Sequence, residues 1–229
     1  MNRSHSKHSG YFDMVEAFRK ARICAFCEME VRATHHYLDS LLYESVNDGG
    51  VRKELIRAKG YCHRHAHLLL AFGDGQGTAI LYQDQIKLIL EFLESSRGIA
   101  AKLLCKKRER WHWSSPDACP ACKLDKQKRE GLVCMLAEWL DDAEMRSAVE
   151  QSPGLCVPHL LLVIGQIKDP PIRDDLLALH IDKFSNLAAE LAEFIRKHDY
   201  RFRGEGFGQE KDSWIRAVKM MVGDKEVYF

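Results

Sequence analysis

Two copies of one cysteine–histidine pattern constrain this chain more than any other feature. The first runs Cys24-Ala-Phe-Cys27 and then Gly60-Tyr-Cys62-His-Arg-His65. The second runs Cys119-Pro-Ala-Cys122 and then Gly154-Leu-Cys156-Val-Pro-His159. Second and third cysteines are 35 positions apart in one copy and 34 in the other. Each copy supplies three thiols and one imidazole, the donor set of a closed four-coordinate metal site.

The repeat extends beyond these residues. At an offset of 94 to 95 positions, Val46-Asn47-Asp48 with Arg52 meets Leu140-Asp141-Asp142 with Arg146. Two similar modules follow, each expected to hold one metal. Cys24, Cys27, Cys62 and His65 form the first expected site; Cys119, Cys122, Cys156 and His159 form the second. Ligation crossed between the repeats satisfies the same spacing. Pairing within a module is the simpler reading, because the intervening length is nearly constant.

Apolar spacing is helical throughout, and no run alternates as a strand does. Tyr37, Leu38, Leu41, Leu42 and Val46 share a face, as do Val133, Leu136, Ala137 and Leu140. A short helix is expected over Arg52 to Ala58, ended by Gly60, with Gly154 in the same role in the second copy. Cys62 and Cys156 each open a further helix, where two ligands three residues apart share a face and thiolates benefit from the helix dipole. Long amphipathic helices through Ile80–Leu104 and Leu176–Ile195 close the modules. The fold class is all-α, internally duplicated, with each module clamped by a Cys₃His site. The expected organisation is a tail over 1–10, a first metal-binding repeat over 11–107, a linker over 108–118, a second repeat over 119–199, and a loop with a final helix over 200–229.

Acidic and basic residues nearly cancel, leaving a formal charge of +1. That balance disfavours a dedicated nucleic-acid binder. Trp111-His112-Trp113 beside Lys106-Lys107-Arg108 is the one stretch of that character, and packing of the indoles is the preferred reading. No segment has the roughly 20 apolar residues that span a bilayer. Residues 1–10 lack the apolar core of a signal peptide, so a cytoplasmic setting is expected. Eight cysteines there favour metal or redox chemistry over disulfides; Cys105 and Cys134 fall outside the pattern.

Zinc, two ions per chain, is the preferred metal, since it accepts tetrahedral Cys₃His coordination and commonly uses CxxC and CxxH pairs. Arg22, Arg64 and Lys123 lie near the ligands and can offset the negative charge of three thiolates. Iron–sulfur clusters are the alternative, implying electron transfer or an accessory role in a redox enzyme. His35, His36, His63 and His67 have no counterpart in the other repeat and are set aside as ligands. Glu28, Glu30 and Asp125 are read as first-turn acids favoured by the helix dipole. The functional expectation is a binding or adaptor module with a protein partner and no catalysis.

Cys119-Pro-Ala-Cys122, both Gly-x-Cys-x-x-His elements, Val46-Asn47-Asp48, Asp212-Ser-Trp214 and Arg216-Ala217 together resemble an uncharacterised prokaryotic family, a domain of unknown function with a duplicated CPxC…GxCxxH signature. The first CxxC departs from that signature, with Ala25 where proline is usual. The resemblance covers most of residues 11 to 222. It implies a shared metal-binding helical fold and no particular activity.

Overall fold

The computed structural model describes residues 7–95 and 113–229, and all regular structure among them is helical. Ten α-helices are present there: α1 Ser9–Lys20, α2 Ala25–Ser40, α3 Gly49–Arg57, α4 His63–Ala71, α5 Gly75–Ser95, α6 Pro120–Trp139, α7 Ala143–Gln151, α8 Val157–Gln166, α9 Pro170–Lys197 and α10 Ser213–Val222. A π-helical turn, Leu41–Ser45, prolongs α2, and two short 3₁₀ turns precede α10.

The repeated aspartates cap helices. Asp48 accepts from the backbone N–H groups of Gly50 and Val51 at the start of α3, and Asp142 accepts from Glu144 and Met145 at the start of α7. Both satisfy donors that a helix N-terminus leaves unpaired. Asp169 stands before Pro170-Pro171, where proline suits the first helical turn.

Two compact units result: Met1–Val31 with Arg129–Phe229, and Arg32–Lys128. They differ from the expected repeats over 11–107 and 119–199, because their boundaries fall inside α2 and α6. The first unit buries Tyr11, Phe18, Phe26, Leu136, Met145 and Leu155. The second buries Leu38, Leu41, Leu55, Tyr61, Leu69 and Leu81.

Three features go beyond the sequence reading. The tail is shorter than 1–10: α1 starts at Ser9, and Lys7 pairs with Asp142 at 3.1 Å and Glu144 at 3.3 Å. Helix α1 buries one face through Tyr11, Met14, Val15 and Phe18, which recur at helical spacing. The apolar residues of α10 do not pack inward. Trp214, Val218 and Met221 are 53%, 61% and 56% exposed, while Ser213 and Met220 are buried.

Trp113 lies 5.8 Å from Phe92 between ring centroids and under Lys59, as a packed indole. Trp111, His112, Lys106 to Arg110, Cys105 and the expected helix residues Ala100, Ala101 and Leu104 lie outside the described residues, as do positions 108–112 of the expected linker.

Candidate metal centres

All four ligand pairs sit at helix N-termini. Cys24 immediately precedes α2 and Cys27 lies in its first turn; Cys119 and Cys122 do the same for α6. Cys62 and Cys156 are the N-caps of α4 and α8, with His65 and His159 one turn further on. The unpaired N–H groups and positive dipole at such ends favour thiolate over thiol.

The eight residues gather crosswise. Cys24 and Cys27 meet Cys156 and His159 in the first unit, and Cys62 and His65 meet Cys119 and Cys122 in the second. The pairing expected within each repeat is therefore corrected. The reason lies in the long helices: α2 starts in the first unit and ends in the second, and α6 runs the other way, so each GxCxxH falls in the other unit from the CxxC that precedes it.

In the first centre, His159 Nδ1 lies 3.4 Å from Cys24 Sγ, 3.6 Å from Cys27 Sγ and 3.2 Å from Cys156 Sγ, with Cys27 and Cys156 sulfurs 3.7 Å apart. In the second, His65 Nδ1 lies 3.4 Å from Cys62, 3.5 Å from Cys119 and 3.4 Å from Cys122, with Cys62 and Cys122 sulfurs 3.5 Å apart. Cys122 is the one partly exposed ligand of the eight. These convergent, buried sulfur and nitrogen donors fit a single soft or borderline metal ion in each centre.

Behind each imidazole stands a carboxylate. Glu30 Oε1 lies 2.8 Å from His159 Nε2, and Arg129 holds the same carboxylate through Nε at 3.1 Å and a terminal nitrogen at 2.8 Å. In the second centre Asp125 Oδ2 lies 3.2 Å from His65 Nε2, less well aligned for a hydrogen bond. Asp125 also accepts from Thr34 Oγ1 at 2.5 Å and pairs with Arg64. A carboxylate on the far nitrogen fixes the tautomer, leaving Nδ1 to the ligand side. Reading Glu30 and Asp125 as dipole acids missed this role. The signal was present: in both copies the third residue after the second cysteine is acidic. Arg64 does offset charge, through Asp125. Glu28 keeps a local role, accepting from the Arg22 N–H at 3.0 Å.

Electrostatics favours a cation in both pockets. Burial works against a charged His159, but Cys156, Cys24 and Glu30 outweigh it and raise its pKa to about 11. His65 is raised to about 10, burial being outweighed by Asp125, Cys119 and Cys62. Burial likewise opposes ionisation of Cys24, yet Cys156, Cys27 and His159 bring its thiol well below the ordinary value. Cys119 and Cys122 do the same for Cys62. Cys27 and Cys122 are pushed up by their hydrogen bonds to the neighbouring cysteine sulfurs and by burial. Negative charge so concentrated is relieved by a bound cation.

The glycines of the two Gly-x-Cys-x-x-His elements have φ of +92° at Gly60 and +95° at Gly154, a region that suits glycine. Behind Gly154, the His180 ring accepts from the Leu155 N–H at 2.9 Å through Nε2, and its Nδ1 donates to the Leu176 carbonyl. The neighbouring histidines stay outside the centres: His63 and His67 are exposed and meet edge to face at 4.5 Å between centroids, and His35 meets Phe72.

Residues 10–227 match the sequence pattern of DUF6062, described as a family of unknown function. The chain belongs to this family. The resemblance drawn from the duplicated signature thus holds. A curated relative, the "Uncharacterized 23.9 kDa protein in xynA 3'region" of Caldicellulosiruptor sp. (strain Rt8B.4), is 27% identical over 216 residues, covering 92% of this chain and 99% of the relative. No solved structure matches the chain.

Proposed function

We propose that this DUF6062 chain is a two-zinc protein, its ions held at Cys24/Cys27/Cys156/His159 and Cys62/His65/Cys119/Cys122, acting as a non-catalytic binding or adaptor module. The observation that carries this reading is the spacing of the donors, 3.2–3.7 Å wherever they contact. A zinc tetrahedron with ordinary Zn–S and Zn–N lengths places sulfurs about 3.8 Å apart and sulfur about 3.6 Å from nitrogen. With four protein ligands per ion no position is left open for substrate, which supports a structural over a hydrolytic role.

The iron–sulfur alternative is less well supported. Cluster ligands bind different irons with sulfides between them, and so stand further apart than the ligands of one ion. A reducing, cytoplasmic setting belongs to the proposal, because the cysteines must stay as thiolates to bind metal. No described helix is long and apolar enough to cross a membrane. A protein partner is part of the same reading, supported by the exposed apolar residues of α10.

Elemental analysis of anaerobically purified protein tests the metal assignment. Two zinc ions per chain without acid-labile sulfide is the expected result. Iron with matching sulfide would overturn it in favour of electron transfer.

A further inference from the structure

The two centres carry the same donors but are enclosed differently. In the first, the segment Gly223–Phe229 lies against the ligands. The Asp224 N–H donates to Cys27 Sγ at 3.4 Å, and the Phe229 ring meets His159 edge to face at 4.7 Å between centroids. The Arg129 guanidinium, which also holds Glu30, sits 4.6 Å from the centre of the Phe229 ring. Gly223 allows this approach: its φ is +86°, and a Cβ there would come within 2.9 Å of Phe229 and 3.5 Å of Cys27 Sγ. Val227 is buried in the same core and anchors the segment.

Nothing comparable among the described residues is set against Cys122. Cys122 is partly exposed, whereas Cys24, Cys27, Cys156 and His159 are 3% exposed or less. Ligand exchange at a thiolate–metal centre begins when an incoming ligand reaches the ion or a sulfur, so access sets its rate.

We infer that the chain has one sealed and one exchangeable metal centre: the Gly223–Phe229 strap locks the ion at Cys24/Cys27/Cys156/His159, while the ion at Cys62/His65/Cys119/Cys122 exchanges with small soluble chelating ligands through the Cys122 edge. This rests on the two-metal reading above. Phe229 acts as a positioning residue, holding the His159 ring and covering the ion's approach.

The test is zinc release from the full, zinc-loaded chain to the chromophoric chelator 4-(2-pyridylazo)resorcinol, after metal content has been measured. Release in two phases of one ion each is expected. Cys122→Ser should erase the fast phase and Cys27→Ser the slow one. Phe229→Ala should speed the slow phase about tenfold or more, the scale of lost outer support at a metal site. It should leave the fast phase unchanged, and Phe229→Tyr should restore slow release. Because ligand variants can fail to fold, wild-type protein is also followed by mass spectrometry with iodoacetamide during chelation. Cys62, Cys119 and Cys122 should label before Cys24, Cys27 and Cys156. A single phase for both ions, the reverse labelling order, or a slow phase indifferent to Phe229→Ala would overturn the inference while leaving the two-metal reading intact. Fewer than two metals at the outset would overturn both.

Discussion

Glu30 and His159 stand 129 residues apart in sequence, and a Glu30 carboxylate oxygen lies 2.8 Å from His159 Nε2. The contact joins the helix bearing the first CxxC to the helix bearing the second CxxH, and it orients the imidazole toward three sulfurs. Replacing Glu30 by Ala should weaken metal binding at the first centre by about 10- to 100-fold, with Asp125→Ala doing so at the second. Glu30→Gln, which keeps an acceptor but loses the charge, should have a smaller effect. Competition titration against a zinc chelator measures each step; unchanged affinity in the alanine variants would contradict the role assigned to these carboxylates.

Gly154 and Gly60 share a backbone conformation but differ in surroundings. A Cβ at Gly154 would lie 2.9 Å from Lys183 Cδ and 3.0 Å from His180 Nε2, whereas at Gly60 the nearest atom, Gln85 Oε1, is 3.6 Å away. Gly60→Ala should therefore cost only the backbone term, about 1–3 kcal/mol, and Gly154→Ala should cost more. Denaturant melts of the zinc-loaded variants give the order. Equal losses would mean that His180 and Lys183 yield without penalty.

His180 is held neutral: burial lowers its pKa below the ordinary value, and its Nε2 must accept from Leu155. An unfolded histidine takes a proton near pH 6.5 while the folded one resists, so this group's stability is full above about pH 6.5 and is lost as pH falls toward the depressed folded value. The metal ligands also lose affinity in acid, so the difference between wild type and His180→Gln isolates the effect. Between about pH 7 and pH 5 wild type should lose more stability than the variant. Parallel pH profiles would show that His180 contributes nothing to acid sensitivity.

Asp142 does more than cap α7. It also accepts from Tyr11 Oη at 2.5 Å and pairs with Lys7, and despite partial desolvation these partners hold its pKa at about 2. Among the described residues, Asp48 caps α3 through the Gly50 and Val51 N–H groups without such company. Asp48→Ala should cost about 1 kcal/mol, and Asp142→Ala should reach the upper end of cap values, about 2 kcal/mol. Thermal melts of the two variants decide the order, and a larger loss for Asp48→Ala would refute it.

The helical class and the eight clustered residues were legible because both are written locally. Helix faces such as Leu38, Leu41 and Leu42 follow from residues one turn apart, and ligand pairs three apart at a helix start share a side. Partner choice was not local. Cys27 is 35 positions from Cys62 and 34 separate Cys122 from Cys156, so spacing alone could not distinguish the two pairings. The long helix after each CxxC held the answer, since α2 and α6 each start in one compact unit and end in the other. The paired acids Glu30 and Asp125 could also have been read from their matching positions. The outward face of α10 could not, because an amphipathic pattern does not say which side meets water.

Crosswise pairing is the central claim, and cysteine footprinting tests it most directly. A Cys156→Ser, His159→Ala double variant of the zinc-loaded chain is exposed to iodoacetamide and each cysteine is read by mass spectrometry. The account predicts that Cys24 and Cys27 become reactive together while Cys62, Cys119 and Cys122 keep wild-type protection. Labelling of Cys119 and Cys122, with Cys24 and Cys27 still protected, would mean that each repeat binds its own ion.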